Sequence, residues 1–407
     1  MRVSQAKLPT GSTDATSARI PSGVVTLGFV SLLMDVSTEM ILSLLPVFLV
    51  SVLGASAATF GAIEGVAEAT ASITKLFSGA MSDFWGKRKP LLLAGYGLAT
   101  LVRPIFPLAH TAAQIFAARL VDRIGKGIRG APRDALVADI TPPERRGAAY
   151  GLRQSLDSAG AFAGPLLALA LMPLLANDMR RVFWFAGAPA VLCVLLIAIA
   201  VREPGVHHAP ERRPVLVGAQ LRALPGHFRF ILALAGLFTL ARFSEGFLLL
   251  RAQRAGLPVA WTPAVFVLMN LSYFLSAYPL GHLADRLDRR ALIAAGAGVL
   301  VVADLVLAFA PSIAFVLLGA LLWGLHMGAT QGLLSAIVGD AAPASLRGTA
   351  FGLFNLVSGL ALLAASVIAG ALWTSIGSAS TFLAGAAFAA ASAIAIVLWG
   401  RPGVRSP

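Results

Sequence analysis

Long apolar runs separated by short polar knots make up most of this chain. The runs fall at about 23–50, 56–82, 90–110, 112–139, 147–175 and 182–201, and again at about 228–250, 260–284, 290–310, 312–339, 348–374 and 379–400. Each is close to the ~20 residues a helix needs to cross a bilayer. Lipid offers backbone N–H and C=O groups no partner outside the helix itself. The pattern predicts an all-α polytopic membrane protein of 12 transmembrane helices. One long polar segment interrupts the series, VREPGVHHAPERRPVLVGAQLRALPGHFR, and its Pro, His and Arg content reads as a linker between two six-helix halves. The expected organisation is a tail at 1–22, an N-terminal bundle at 23–201, a linker at 202–227, a C-terminal bundle at 228–400 and a short tail at 401–407.

Composition agrees with the pattern. Of 407 residues, 57% are hydrophobic and 13% charged, which excludes a soluble enzyme. The net charge of +13 would suit nucleic acid if it formed one soluble basic face. Instead the bases sit in short loops, so no nucleic-acid partner is expected and positive-inside bias is the better account. Lys87, Arg88 and Lys89, Arg145 and Arg146, Arg286, Arg289 and Arg290, and Arg347 fall on one side. The other side holds chiefly Arg180, Arg181, Arg251 and Arg254, so both termini are expected in the cytoplasm. The first twenty residues are polar and read as a cytoplasmic tail, not a cleaved signal peptide. Cys193 is the single cysteine, which rules out an internal disulfide and a cysteine metal cluster. There is no His-Glu-x-x-His, no Gly-x-Ser-x-Gly and no phosphate-cradling glycine loop. No cofactor, resident metal or enzymatic activity is expected.

The two halves repeat. Gly79, Asp83 and Arg88 match Gly281, Asp285 and Arg290 at an offset of 202, and Asp139, Arg146 and Gly151 match Asp340, Arg347 and Gly352 at 201. STEM at 37–40 aligns with FSEG at 243–246 and sets Glu39 against Glu245. Repeated halves are the layout of a rocking transporter with its site between them. The knot SGAMSDFWGKRKPLL, residues 78–92, has a physical reading. Its glycine admits a neighbouring helix. Its aspartate pairs with a base or caps a helix dipole. Its bases anchor at the anionic leaflet. Charges that pair in only one arrangement make a conformational latch.

GAMSDFWGKRK and GHLADRLDRRA resemble motif A of the major facilitator superfamily, RIGKGIRGA from Arg123 resembles its motif B, and GAFAGPLLA from Gly160 resembles its motif C. The resemblance covers almost the whole chain. It implies two pseudo-symmetric six-helix bundles that move a small-molecule substrate on an ion gradient, usually protons. It implies a monomer in a bacterial inner membrane. In motif A it implies a latch of Gly79, Asp83, Gly86, Arg88, Gly281, Asp285 and Arg290. It ties Arg123 to proton coupling, and Gly160, Gly164 and Pro165 of motif C to antiport. The chain departs from the pattern at Asp288, which replaces the second motif-A glycine of the C-terminal half, and at Lys126 in motif B. Motif C occurs once, since the eleventh run reads ALLAASVIAG.

Charges inside the runs complete the picture. Arg119, Arg123, Lys126, Arg129 and Arg133 recur at helical spacing on the fourth run. Five such residues facing lipid would cost on the order of 12–18 kcal/mol, so the face must meet protein or water. Acids answer them: Asp35 and Glu39 on the first run, Glu64 and Glu68 on the second, and Asp157 beside Arg153 on the fifth, while Arg242 and Glu245 share a face of the seventh. One reading is a neutralised network that holds the N-terminal half together. The other is that Glu39, Arg123 or Glu245 binds substrate or carries the proton, with Arg123 moving toward or away from Glu39 or Asp35 to switch the carboxylate. In the C-terminal half, Asn270, Tyr273, Tyr278, His326, Gln331 and Asn355 either face substrate or join helices. Motif C favours proton-coupled export. The bases of the fourth run favour uptake of an organic anion or metal chelate, and the paired acids admit a metal ion as cargo.

Overall fold

The structure, a computed structural model, describes residues 20–142, 145–203, 226–284, 287–341 and 347–399, and these contain helices but no strand. One bundle is α1 (Ser22–Leu42), α2 (Ala57–Trp85), α3 (Lys89–Leu101), α4 (Ala112–Asp139), α5 (Arg146–Leu174) and α6 (Met179–Ala200). The other is α7 (Gly226–Leu240), α8 (Gly246–Arg254), α9 (Pro263–Ala284), α10 (Arg289–Ala308), α11 (Ile313–Ala341), α12 (Arg347–Ser375) and α13 (Ser378–Trp399). Among the described residues, nine helical segments are long and apolar enough to cross a membrane. α2, α4 and the α7–α8 pair stand outside that set. The first two carry many of the buried charges, and the third is broken.

Local chemistry sets the helix ends. Ser56 accepts from the N–H of Thr59 (3.0 Å) to start α2, and Thr111 and Gln114 form a reciprocal capping box at the start of α4. Gly86, at φ +64, ends α2 in the left-handed conformation that favours glycine. Its C-terminal counterpart, Asp288, instead accepts from the N–H of Arg290 (3.0 Å) and caps α10, which gives the motif-A departure a structural use.

The seventh run differs from expectation. It was expected as one helix over 228–250, but α7 stops at Leu240 and α8 starts at Gly246. Arg242 and Glu245 therefore lie on an unwound stretch, not on a shared helical face. The hydroxyl of Ser366 on α12 accepts from the freed N–H of Ser244 (3.2 Å). The first run also changes course after Leu42, through a short helix at Leu45–Val47 and a π-turn at Phe48–Val52.

Within the first bundle α1 packs along α5 and α6, and α4 along α2 and α3. Within the second, α11 packs along α9 and α10, and α13 along α10. The registers match. Gly95 of α3 abuts Arg129 of α4, and Gly296 of α10 abuts Thr330 of α11, the second pair 201 residues after the first. Across the bundles α2 runs along α12 and α5 along α9. At one end the halves meet in an aromatic lattice. Phe60 stacks edge-on against Phe247 (5.2 Å), Phe243 against Phe247 (5.7 Å) and Phe382 (5.6 Å), and Phe247 lies beside Trp373 (5.7 Å). Phe60, Phe247, Leu45, Phe48 and Leu249 are buried there, which seals that end.

Candidate functional site

A cavity of about 820 Å³ lies between the halves. Leu42, Leu45, Pro46 and Phe60 floor it at the sealed end. Asp35 and Glu39 of α1 and Lys126 of α4 line one wall, and Arg242, Phe243 and Glu245 of the unwound stretch line the opposite one. Tyr273, Trp323, Gln331 and Asn355 contribute the polar and aromatic remainder. At the other end the lining includes Gln154, which is exposed.

Motif C sets the position of the α1 acids. A Cβ at Gly164 would lie 2.7 Å from Glu39 Cβ and 2.8 Å from the Val36 carbonyl oxygen. A Cβ at Gly160 would lie 2.7 Å from the Leu32 carbonyl oxygen and 2.9 Å from Asp35 Cβ. The two glycines, with buried Pro165 beside them, let α5 seat directly under the turn that carries Asp35 and Glu39.

The charges divide into three sets. The first is locked. Arg119 donates through both arms of its guanidinium to Glu64, at 2.8 and 2.6 Å, and Arg123 Nη1 lies 3.1 Å from Glu68. Asp122, 1% exposed, is their hub, with Arg103 at 3.4 Å, Arg119 at 3.5 Å and Arg123 at 3.6 Å. Arg103 also donates to the Thr38 hydroxyl (2.7 Å). Three bases and three acids cancel. The second set lies nearer the other end. Asp157 takes Arg153 at 2.9 Å and Arg133 at 3.8 Å, Asp134 takes both at 3.5 Å, and Arg133 donates to Ser31 (2.6 Å). The third set lines the cavity, as Glu64, Glu68 and Arg123 of the first set also do, but is not paired. It consists of Asp35, Glu39, Lys126, Arg242 and Glu245, and none is in an ion pair among the described residues. Arg129 packs over the Tyr96 ring at 4.6 Å.

A model of the Major Facilitator Superfamily matches residues 27–272 and 255–407 of this chain. The chain belongs to that superfamily. An uncharacterized MFS-type transporter of Methanocaldococcus jannaschii is 30% identical over 374 residues, covering 90% of this chain and 92% of that protein. The multidrug resistance protein MdtH of Proteus mirabilis is 29% identical over 222 residues, 53% of each chain. Among solved structures, the nucleoside transporter NupG superposes with a TM-score of 0.79 at 12% identity, covering 93% of this chain and all of that one, a likeness of fold. The protein is thus a multi-pass membrane transporter of small solutes and not an enzyme.

The superfamily's motifs can now be placed. In motif A, Arg88 reaches Asp139 (3.4 Å) and the Ser82 hydroxyl, and the backbone N–H groups of Arg88 and Lys89 donate to Glu203. The close approach expected at its glycines is not seen. Gly79 makes only an ordinary contact with Ala131 (3.4 Å), and nothing lies within 4 Å of a Cβ built at Gly281. The Asp83 side chain and Asp285 fall outside the described residues, while Arg290 keeps its backbone bond to Asp288. Motif B splits: Arg123 is buried in the locked set, whereas Lys126 is exposed on the cavity wall. Arg123 therefore faces Glu68 and Asp122 here, not Glu39 or Asp35.

Elsewhere Asn270 donates to the Ala161 carbonyl (3.0 Å) and joins α9 to α5, Tyr278 is exposed and off the cavity lining, and His326 is wholly buried. Glu64 and Glu68 are turned to arginines, and no group of three His, Cys, Asp or Glu suited to a metal occurs among the described residues. Two groups that the sequence reading passed over are Arg103, which completes the Asp122 hub, and Asp304, buried in α10. The only sequence signal for either is a lone charge in an apolar run.

Proposed function

We propose that this transporter exports a small organic solute from the cytoplasm in exchange for protons, with Glu39 as the carboxylate that solute and proton contest. The observation that carries this is the division of the acids. Glu64 and Glu68 are tied to arginines, but Asp35 and Glu39 stand on the cavity wall without an ion pair, across from Glu245. A carboxylate spared from structural pairing is free to bind a cationic group of a solute and, once protonated, to release it. Motif C supports export, as does the likeness to a multidrug resistance protein over about half of the chain.

In this reading the sealed aromatic end faces outward, the open end faces the cytoplasm, and both termini are cytoplasmic, following the basic loops. The N-terminal bundle at 23–201 handles the coupling ion and the bundle at 228–400 completes the solute face. The linker at 202–227, most of it outside the described residues, joins them on the cytoplasmic side. A single chain in the bacterial inner membrane suffices.

Lys126 and Arg242, also without an ion pair on the cavity wall, favour a second reading, uptake of an organic anion together with protons. One experiment separates the two. Purified protein is placed in liposomes with a trapped pH-sensitive dye, and a gradient of ethidium or of benzoate is imposed. Proton movement opposite to ethidium, lost in Glu39→Gln, is the expected result. Movement with benzoate in the same direction establishes the uptake reading. No proton movement with either overturns proton coupling for both solute classes.

A further inference from the structure

We propose that Asp304 is a second proton-binding site, set in the C-terminal half and gated from the central cavity by Phe243. Asp304 is 0% exposed, and neither of its carboxyl oxygens has a hydrogen-bond partner among the described residues. Its cradle is open by design of the sequence. A Cβ at Gly385 of α13 would run into Asp304 Oδ2 and lie 2.8 Å from the Phe243 ring, so the missing side chain makes room for the carboxyl. Phe243 belongs to the unwound stretch, lines the cavity, and packs on Trp323 at 5.2 Å. One aromatic layer thus separates the buried carboxyl from the space that carries solute.

The charges around Asp304 are few. α13 has no titratable residue. α11 carries His326 and, fourteen residues further on at its end, Asp340; His326 is 0% exposed and neither ring nitrogen has a hydrogen bond among the described residues. Arg242 and Glu245 flank Phe243 on the cavity side. Arg251 of α8 is committed to the carbonyls of Leu307 and Ala310, each at 2.8 Å. An anion with no donor and no cation inside a membrane protein is costly, and the group escapes that cost by keeping its proton. Trp323, packed on Phe243, has an indole Nε1 without an acceptor among the described residues. Movement of Phe243 with the unwound stretch would open the carboxyl to the cavity, where the proton can be held or released. The solute's direction of travel does not enter, so the site stands or falls separately from the Glu39 reading.

Infrared spectroscopy on the purified protein in lipid nanodiscs, without any solute, tests this. The wild type is expected to show a C=O stretch of a protonated carboxyl that is lost in Asp304→Asn. That band should shift in D2O and fade as pH rises while the protein remains folded. Phe243→Ala should make the exchange into D2O several-fold faster, a readout that stands even where Asp304→Asn fails to fold. The proposal is overturned by a spectrum unchanged in Asp304→Asn. It is equally overturned by a band that neither exchanges nor titrates in the folded protein, or by exchange that Phe243→Ala leaves at the wild-type rate.

Discussion

Arg103, in the turn that follows α3, and Asp122 of α4 lie 3.4 Å apart in the N-terminal half, and 201 residues later the same two sequence places hold Asp304 of α10 and Trp323 of α11. The helix pairs are in the same register, as Gly95 with Arg129 and Gly296 with Thr330 attest. One copy neutralises a buried charge with fixed bases, because Asp122 sits among Arg103, Arg119 and Arg123. The other copy gives its acid no base. A fixed ion pair resists change, since separating it strands a buried charge. A carboxyl neutralised by a proton can change state at the cost of moving that proton. Duplicated scaffolds can therefore assign rigidity to one half and exchange to the other while keeping the same helix packing.

The largest effect that tests this contrast should come from the locked set. Arg119→Ala removes both bonds to Glu64 and leaves a buried carboxylate, a loss of about 3–5 kcal/mol. It should appear as a sharp fall in melting temperature of the detergent-solubilised protein. Gly164→Ala comes next. The added methyl meets Glu39 and the Val36 carbonyl, and overpacking of this kind costs about 1–3 kcal/mol. Solute-driven proton flux should fall more than melting temperature does, because the methyl displaces the carboxylate that the flux uses. Asp304→Asn should be milder still, under about 1.5 kcal/mol, since it breaks no hydrogen bond of the carboxyl. A loss equal to that of Arg119→Ala would mean that Asp304 has a structural partner and would erase the contrast. Glu39→Gln should move stability least, within about 0.5 kcal/mol, having no ion pair to lose.

Much of this was legible in the chain. Apolar runs gave the helices, and the repeat of Gly79 and Arg88 at Gly281 and Arg290 gave the two halves. The division of the acids was not. Asp35 and Glu39 have the same spacing as Glu64 and Glu68, and all four line the cavity, yet only the second pair meets arginines, a difference set by which α4 bases reach them and not encoded by spacing. The break at 241–245 was hidden because no proline marks it. Its lost helical bond is partly replaced from Ser366, more than a hundred residues away in sequence. Arg103 and Asp304 were passed over because a single charge barely alters the apolar character of a twenty-residue run. Asp288 shows the reverse. It looked like a damaged motif and is a helix cap.

The most direct test of the central claim, that unpaired cavity acids work while paired ones hold the fold, is a side-by-side measurement on Glu39→Gln and Glu64→Gln. Melting temperature and ethidium-driven proton flux are read from the same preparations. Glu39→Gln is expected to melt with the wild type and carry no flux, and Glu64→Gln to melt well below it. Wild-type flux in Glu39→Gln, or a melting temperature lowered as far as that of Glu64→Gln, would contradict the account.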